Sequence, residues 1–334
     1  MRTFSRAVLA ALAVLIFSPI FVSPSFAQGI TAGDILVADR ETGTIRRYSA
    51  SGADPAPFAS GLSAPWSITA DQHGNIYVSE RDGQRVKKFS SAGGDPVLTI
   101  TTCPTITRCF TPGGVRVGTD GRIYVVDTSG GQLNRYSASD GTDLGSFPST
   151  GTGLVSPNFM TFDAQGNLYV TGTDPVLGEV VRGFSPTGAP LVPDFVPGFS
   201  DLTGIAFDAR GNFYVASFTS NIVQKYDPFG NADPIPFASG DFEDSFRGIA
   251  FDASGNLYVA SSASRSGSGN ILRFPPAAPP ELFATGLGLP WDLVIVPVGI
   301  NPTVKDECKE GDWQSFDTAF KNQGDCIQFV NTGK

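Results

Sequence analysis

Hydrophobic positions along this chain come in short runs broken by Gly, Pro, Asn and Asp, a pattern that predicts many brief β-strands joined by tight turns. One run returns throughout: Gly, a polar residue, an apolar residue, usually Tyr, then Val. It reads Gly74-Asn-Ile-Tyr-Val78, Gly121-Arg-Ile-Tyr-Val125, Gly166-Asn-Leu-Tyr-Val170, Gly211-Asn-Phe-Tyr-Val215 and Gly255-Asn-Leu-Tyr-Val259, with a worn first copy at Gly33-Asp-Ile-Leu-Val37. The anchor glycines stand 41, 47, 45, 45 and 44 residues apart. Self-similarity at that period predicts a propeller or solenoid and overrides the two-domain division that 334 residues would otherwise suggest.

Each copy divides into four β signals. In the fifth, Gly204 to Asp208 predicts strand a, Asn212 to Ala216 strand b, Ile222 to Tyr226 strand c and Asp233 to Ala238 strand d. The Asp-x-x-Gly-Asn link between a and b is a tight hairpin, since Gly and Asn tolerate the positive φ such turns demand. Strand c has apolar ends around a basic centre, as in Ile45-Arg-Arg-Tyr48 and Val86-Lys-Lys-Phe89, which suits a strand between neighbouring blades whose charge escapes at an edge. Prolines in strand d suit the outermost strand, where a missing ladder donor blunts the edge.

The first copy begins at strand b, and the last strand a, Leu289 to Ile295, has no b, c or d after it. The two fragments make one blade. Pro290-Trp291 repeats Pro65-Trp66 at a distance of 225 residues, five periods of 45. The chain is therefore expected to be all-β, a six-bladed β-propeller closed by a C-terminal strand a, residues 290–296, pairing with the N-terminal strand b at 34–38 and completing strands b to d there.

Gly-Asn-x-Tyr-Val followed by Asn-Ile-x-x-Tyr resembles the NHL repeat, and the resemblance runs from residue 33 to 296 in six copies. It implies the propeller fold but leaves the activity open, because NHL propellers and their relatives include protein-binding and RNA-binding modules, sensor domains, lyases and a calcium-dependent gluconolactonase group. The lyases resembled use histidines for metal binding or proton transfer, and this chain has a single histidine, His73, in the turn Gln72-His73-Gly74 on the face opposite the usual site. The same shortage argues against a Ser-His-Asp triad and a quinone-dependent dehydrogenase. The gluconolactonases hold their ion with a Glu, two Asn and an Asp near the channel mouth, and the corresponding strand a position here reads Trp66, Gly113, Asn158, Thr203, Arg247 and Trp291. Only Asn158 matches in kind. A hydrolase built on Asp39, Asn158 and Asp292 is the enzymatic alternative; the leading expectation is a module without catalytic residues, metal or cofactor.

Composition narrows the partner. Charged residues are 16% of the chain and the formal net charge is −9, becoming −11 without Arg2 and Arg6, which argues against a global attraction to nucleic acid. In a propeller the d-to-a and b-to-c loops open on one face, and here they hold the irregular sequence. Blade order puts Arg247, Trp291 and Trp66 side by side, facing Gly113, Asn158 and Thr203 across the channel. Tryptophan faces beside a guanidinium suit a sugar ring, an anionic glycan or a peptide aromatic. Trp66, Trp291, Arg247, Asn158 and Thr203 are thus the candidate binding residues, for a protein or carbohydrate ligand of a monomeric protein. A purely structural role has the two Trp wedged between blades and Arg247 paired with Asp244.

The ends differ from the ring. Two positive charges in Met1 to Arg6, an apolar run of 11 residues from Ala7 to Phe17 and Ser25-Phe26-Ala27 predict a signal peptide over 1–27 and hence export, to the extracellular space, periplasm or cell surface. The propeller is expected over 28–300. Residues 301–334 break the repeat and resemble a short C-terminal module of secreted bacterial repeat proteins; they would form a small disulfide-stapled tail or serve a cell-envelope structural role. Export favours disulfides, and four thiols allow three pairings: Cys103 with Cys109 would pin a local loop, and Cys308 with Cys326 would staple the tail. No later segment reaches membrane-spanning length.

Overall fold

The computed structural model describes residues 29–52, 57–103, 109–195, 198–240, 245–262 and 268–297. Among them the regular elements are 24 β-strands in six antiparallel sheets of four, the blades of a six-bladed propeller. Blades two to six occupy residues 65–101, 112–146, 160–195, 202–239 and 246–287 in chain order. Blade one joins the two ends of the ring: Pro290–Ile295 is its strand a, and Ile35–Asp39, Thr44–Tyr48 and Pro57–Ala59 are strands b, c and d. The closing ladder sets Ile35 opposite Ile295, Leu36 opposite Val294, Val37 opposite Leu293 and Ala38 opposite Asp292. The leader, the tail with Cys308 and Cys326, and Asp244 lie outside the described residues.

Strand b is the most apolar of the four strands because it is covered on both faces. It lies between strands a and c of its own sheet and under the adjacent blades, and all five residues of Ile35–Asp39, Ile76–Glu80, Phe213–Ser217 and Leu257–Ser261 are buried. Six hydrophobic clusters result, one at each seam between blades. Leu36, Ile45, Ile68 and Val78 join blades one and two, and Ile35, Tyr258, Ile271 and Leu293 join six and one. Strand d of blade five is shorter than its sequence suggests, only Ala238–Ser239. Pro234 and Pro236 lack the N–H groups a ladder needs, and the Gln224 side chain donates to the Asp233 carbonyl at 2.7 Å beside them.

The recurring polar residues build the opposite, turn face. Asp71 accepts hydrogen bonds from the backbone of His73 (2.8 Å) and Asn75 (2.9 Å), from the Asn75 amide (2.9 Å) and from the Tyr77 hydroxyl (3.0 Å). Asp163, Asp208 and Asp252 hold Asn167 with Tyr169, Asn212 with Tyr214, and Asn256 with Tyr258 in the same way. In blade three the sequence Gly118-Thr-Asp-Gly-Arg-Ile-Tyr124 moves the acid two places on, and Asp120 still reaches the Tyr124 hydroxyl at 3.0 Å. Burial, reinforced by the facing aspartate, pushes the Tyr124 and Tyr169 phenols up to about 12.

The six strands a line the channel and approach one another too closely for a side chain at some positions. A Cβ on Gly204 would sit 2.4 Å from the Arg247 carbonyl oxygen, and one on Gly248 2.3 Å from the Asp292 carboxylate. Cys103 and Cys109 are joined across the loop between blades two and three, with Cα atoms 4.0 Å apart.

Candidate binding site at the channel mouth

The ends of strands a and b bring the five candidate residues to one depression of about 400 Å³ on the loop face, lined in part by Trp66, Asn158, Thr203, Arg247 and Trp291. Trp66 belongs to strand a of blade two, Trp291 to strand a of blade one and Arg247 to strand a of blade six, so they are consecutive around the ring. Asn158 lies just before strand a of blade four, and its Oδ1 accepts the Trp66 indole N–H across the channel at 3.3 Å. Thr203, in blade five, donates its hydroxyl to the Phe246 carbonyl at 3.0 Å and is buried.

The tryptophan faces are not open. The two indoles pack on each other with centroids 4.0 Å apart, and guanidinium groups cover what remains. Arg247 lies 3.6 Å from the Trp291 ring centroid, Arg81 lies 4.0 Å from that of Trp66, and Arg40 is within 5.2 Å of both. The cause is electronic as well as steric: a π-face with a cation on it is satisfied, and the pair becomes a platform that holds three like charges together. Arg81 and Arg40 were not among the candidates because they follow strand b and not strand a. Their signal is the step Asp39-Arg40 repeated as Glu80-Arg81, 41 residues apart like Gly33 and Gly74.

Arg247 is the least exposed of the three, with 8% of its surface accessible. Its Nε donates to Ser262 Oγ at 2.8 Å, and its plane lies over Phe218 as well as Trp291. Burial, with Arg40 adding repulsion, pushes its guanidinium down to about 10, so it remains charged at neutral pH. Arg81 is also pulled below its ordinary value, by burial and then by Arg40, with Asp82 opposing. None of the three has a carboxylate within ion-pairing distance among the described residues, whereas Arg47, Arg116 and Arg182 do.

The residues of the enzymatic alternative do not converge. Both Asp39 oxygens accept backbone N–H groups, from Gly288 at 2.8 Å and Leu289 at 2.9 Å, and so fasten the connection into the closing strand. Asp292 is fully buried and accepts from Ser67 Oγ (2.7 Å), the Ile68 N–H (3.1 Å) and Arg116 (3.3 Å). With the Asn158 oxygen facing an indole N–H and Arg247 in the ring, this donor set does not fit a hard cation, which needs several free oxygens. His73 is in its turn on the opposite face, with its backbone N–H on Asp71.

No family model matches the chain, and no curated protein matches it. Solved structures do. A gluconolactonase from Xanthomonas campestris is similar at 17% identity and a TM-score of 0.57, over 80% of this chain and 89% of that one. A streptogramin B lyase is similar at 16% identity and 0.56, over 78% and 83%. A protein of unknown function from Bacteroides caccae is similar at 14% and 0.56, over 79% and 98%. At these identities the likeness establishes the fold, a six-bladed β-propeller.

Proposed function

We propose that this is an exported binding propeller of the NHL type that takes a carbohydrate partner at the channel mouth of its loop face. One observation carries the reading: the six blades agree in their turns and seams but differ at the strand a position, and there the differing residues surround one concave, polar and aromatic depression of about 400 Å³. That volume suits a small group inserted into the mouth better than a flat protein contact. The test is a glycan array probed with the full chain and with a Trp66→Ala/Trp291→Ala variant whose fold is checked by circular dichroism. Binding by the parent and its loss in the variant are expected; equal binding by both would refute the site.

A second reading, a hydrolase of the gluconolactonase-like group, is favoured by the gluconolactonase and lyase among the similar structures. It would require Asp39, Asn158 and Asp292 to release the groups they now hold. Calcium titration by calorimetry, together with assay of simple sugar lactones, separates the two: binding heat and lactone opening would favour the hydrolase.

A further inference from the structure

We propose that the channel mouth recognises an acidic sugar, a single oxyanion (carboxylate or sulfate ester) seated on Arg247 and Arg81, the two arginines that line the depression, with ring hydroxyls directed to Asn158 and Thr203. This rests on the binding reading above and gives it a ligand class.

The unused capacity of Arg247 is the first support. Its Nε is occupied by Ser262 and its faces by Trp291 and Phe218, while its terminal nitrogens have no hydrogen-bond partner among the described residues, and Arg247 is one of the residues that line the depression. A guanidinium is donor-only, and the fork of terminal N–H groups matches an oxyanion in two parallel hydrogen bonds. The second support is repulsion. Arg40 acts on both Arg247 and Arg81, and an anion between these charges removes a cost that a neutral hydroxyl leaves in place. The third is the absence of a free π-face: with both indoles covered, an aromatic side chain from a peptide has nothing to stack on.

Size and net charge select among anions. The depression is near the lower end of ligand-pocket volumes, and the chain as a whole carries −9. A long polyanion would be repelled by the body of the protein, whereas one charged residue at a chain end meets only the local cationic field. Asp201, exposed on the rim, supplies an acceptor for sugar hydroxyls.

The experiment is a titration of tryptophan fluorescence in the full chain at low salt, since Trp66 and Trp291 line the site. D-glucuronate and D-galacturonate form the carboxylate arm, D-glucose 6-sulfate the sulfate arm, and D-glucose and D-galactose the neutral arm. Saturable change with at least one acidic arm is expected, with neutral sugars inactive at tenfold higher concentration; the two acidic arms identify the oxyanion. Arg247→Gln and Arg81→Gln should each weaken binding by roughly tenfold or more, the usual worth of a charge-assisted contact. Should Arg247→Gln fail to fold, the half-buried Arg81 decides. Silence in both acidic arms, equal binding of neutral and acidic sugars, or unchanged affinity in Arg81→Gln overturns the inference. Neutral-sugar binding that is lost in the Trp66→Ala/Trp291→Ala variant leaves the binding reading standing without it, and no response to any carbohydrate in titration or array removes both.

Discussion

The two faces of the ring use charge in opposite ways. On the turn face each repeated aspartate is engaged by backbone amides and by the asparagine and tyrosine that follow it, so Asp71, Asp163, Asp208 and Asp252 have their acceptors filled. On the loop face Arg40, Arg81 and Arg247 crowd around two tryptophans, and none of them is ion-paired to an acid among the described residues. Saturated polar groups hold a structure together, whereas unsaturated like charges in a concavity cost stability and are kept for what they can hold. The repeat is therefore regular where it serves the ring and irregular where it serves a ligand.

That contrast breaks most readily at Asp292, which belongs to the saturated class although it lies in the channel. Asp292→Ala leaves Arg116 and the Ser67 hydroxyl without their acceptor, and a loss of about 3–5 kcal/mol is expected in urea unfolding. A loss below 1 kcal/mol would remove Asp292 from the structural class. Asp71→Ala should cost less, about 2 kcal/mol, because the donors that lose their partner are neutral amides and a hydroxyl and not a guanidinium; chemical denaturation of the two variants in parallel gives the order. The clamps also predict an alkaline limit. Below pH 10 the phenols are protonated in both folded and unfolded chains; above it the unfolded chain loses protons that Tyr124 and Tyr169 keep until about 12. Stability is therefore whole below pH 10 and declines as pH rises through about 12. Thermal melts should show a shallower decline in Tyr169→Phe, and an identical pH profile would deny the clamp this role. The smallest effect is expected at Arg40→Gln, within about 0.5 kcal/mol of the parent and on the stabilising side, because a repelling charge leaves the cluster. A large destabilisation there would mean that the arginines hold the ring together after all.

Much of this was legible in the sequence, for identifiable reasons. Strand b is buried on all sides, so its phrase survives in six copies and reveals both the blade number and the closure of 290–296 on 34–38. Because strand a keeps its register through the period, the sequence alone puts Trp66, Asn158, Thr203, Arg247 and Trp291 at one mouth. The covering of the indoles was not legible, since it depends on the angle between neighbouring blades and on Arg40 and Arg81, which sit one loop later. The duty of Asp39 was hidden for a different reason: its partners, Gly288 and Leu289, are 249 and 250 residues away. Proline showed that strand d is the outer strand but not that in blade five it shrinks to two residues.

The seam that shuts the ring runs through the candidate site. Arg40 arrives with the first blade, whereas Trp291 follows Arg81 by 210 residues and enters only with the final strand. During synthesis the mouth is incomplete until that strand docks, so competence to bind reports that the circle is finished. The relation also runs backwards: a ligand spanning Arg81, Trp291 and Arg247 holds the closing strand against its neighbours on both sides, and its occupancy and the opening of the seam are opposed equilibria.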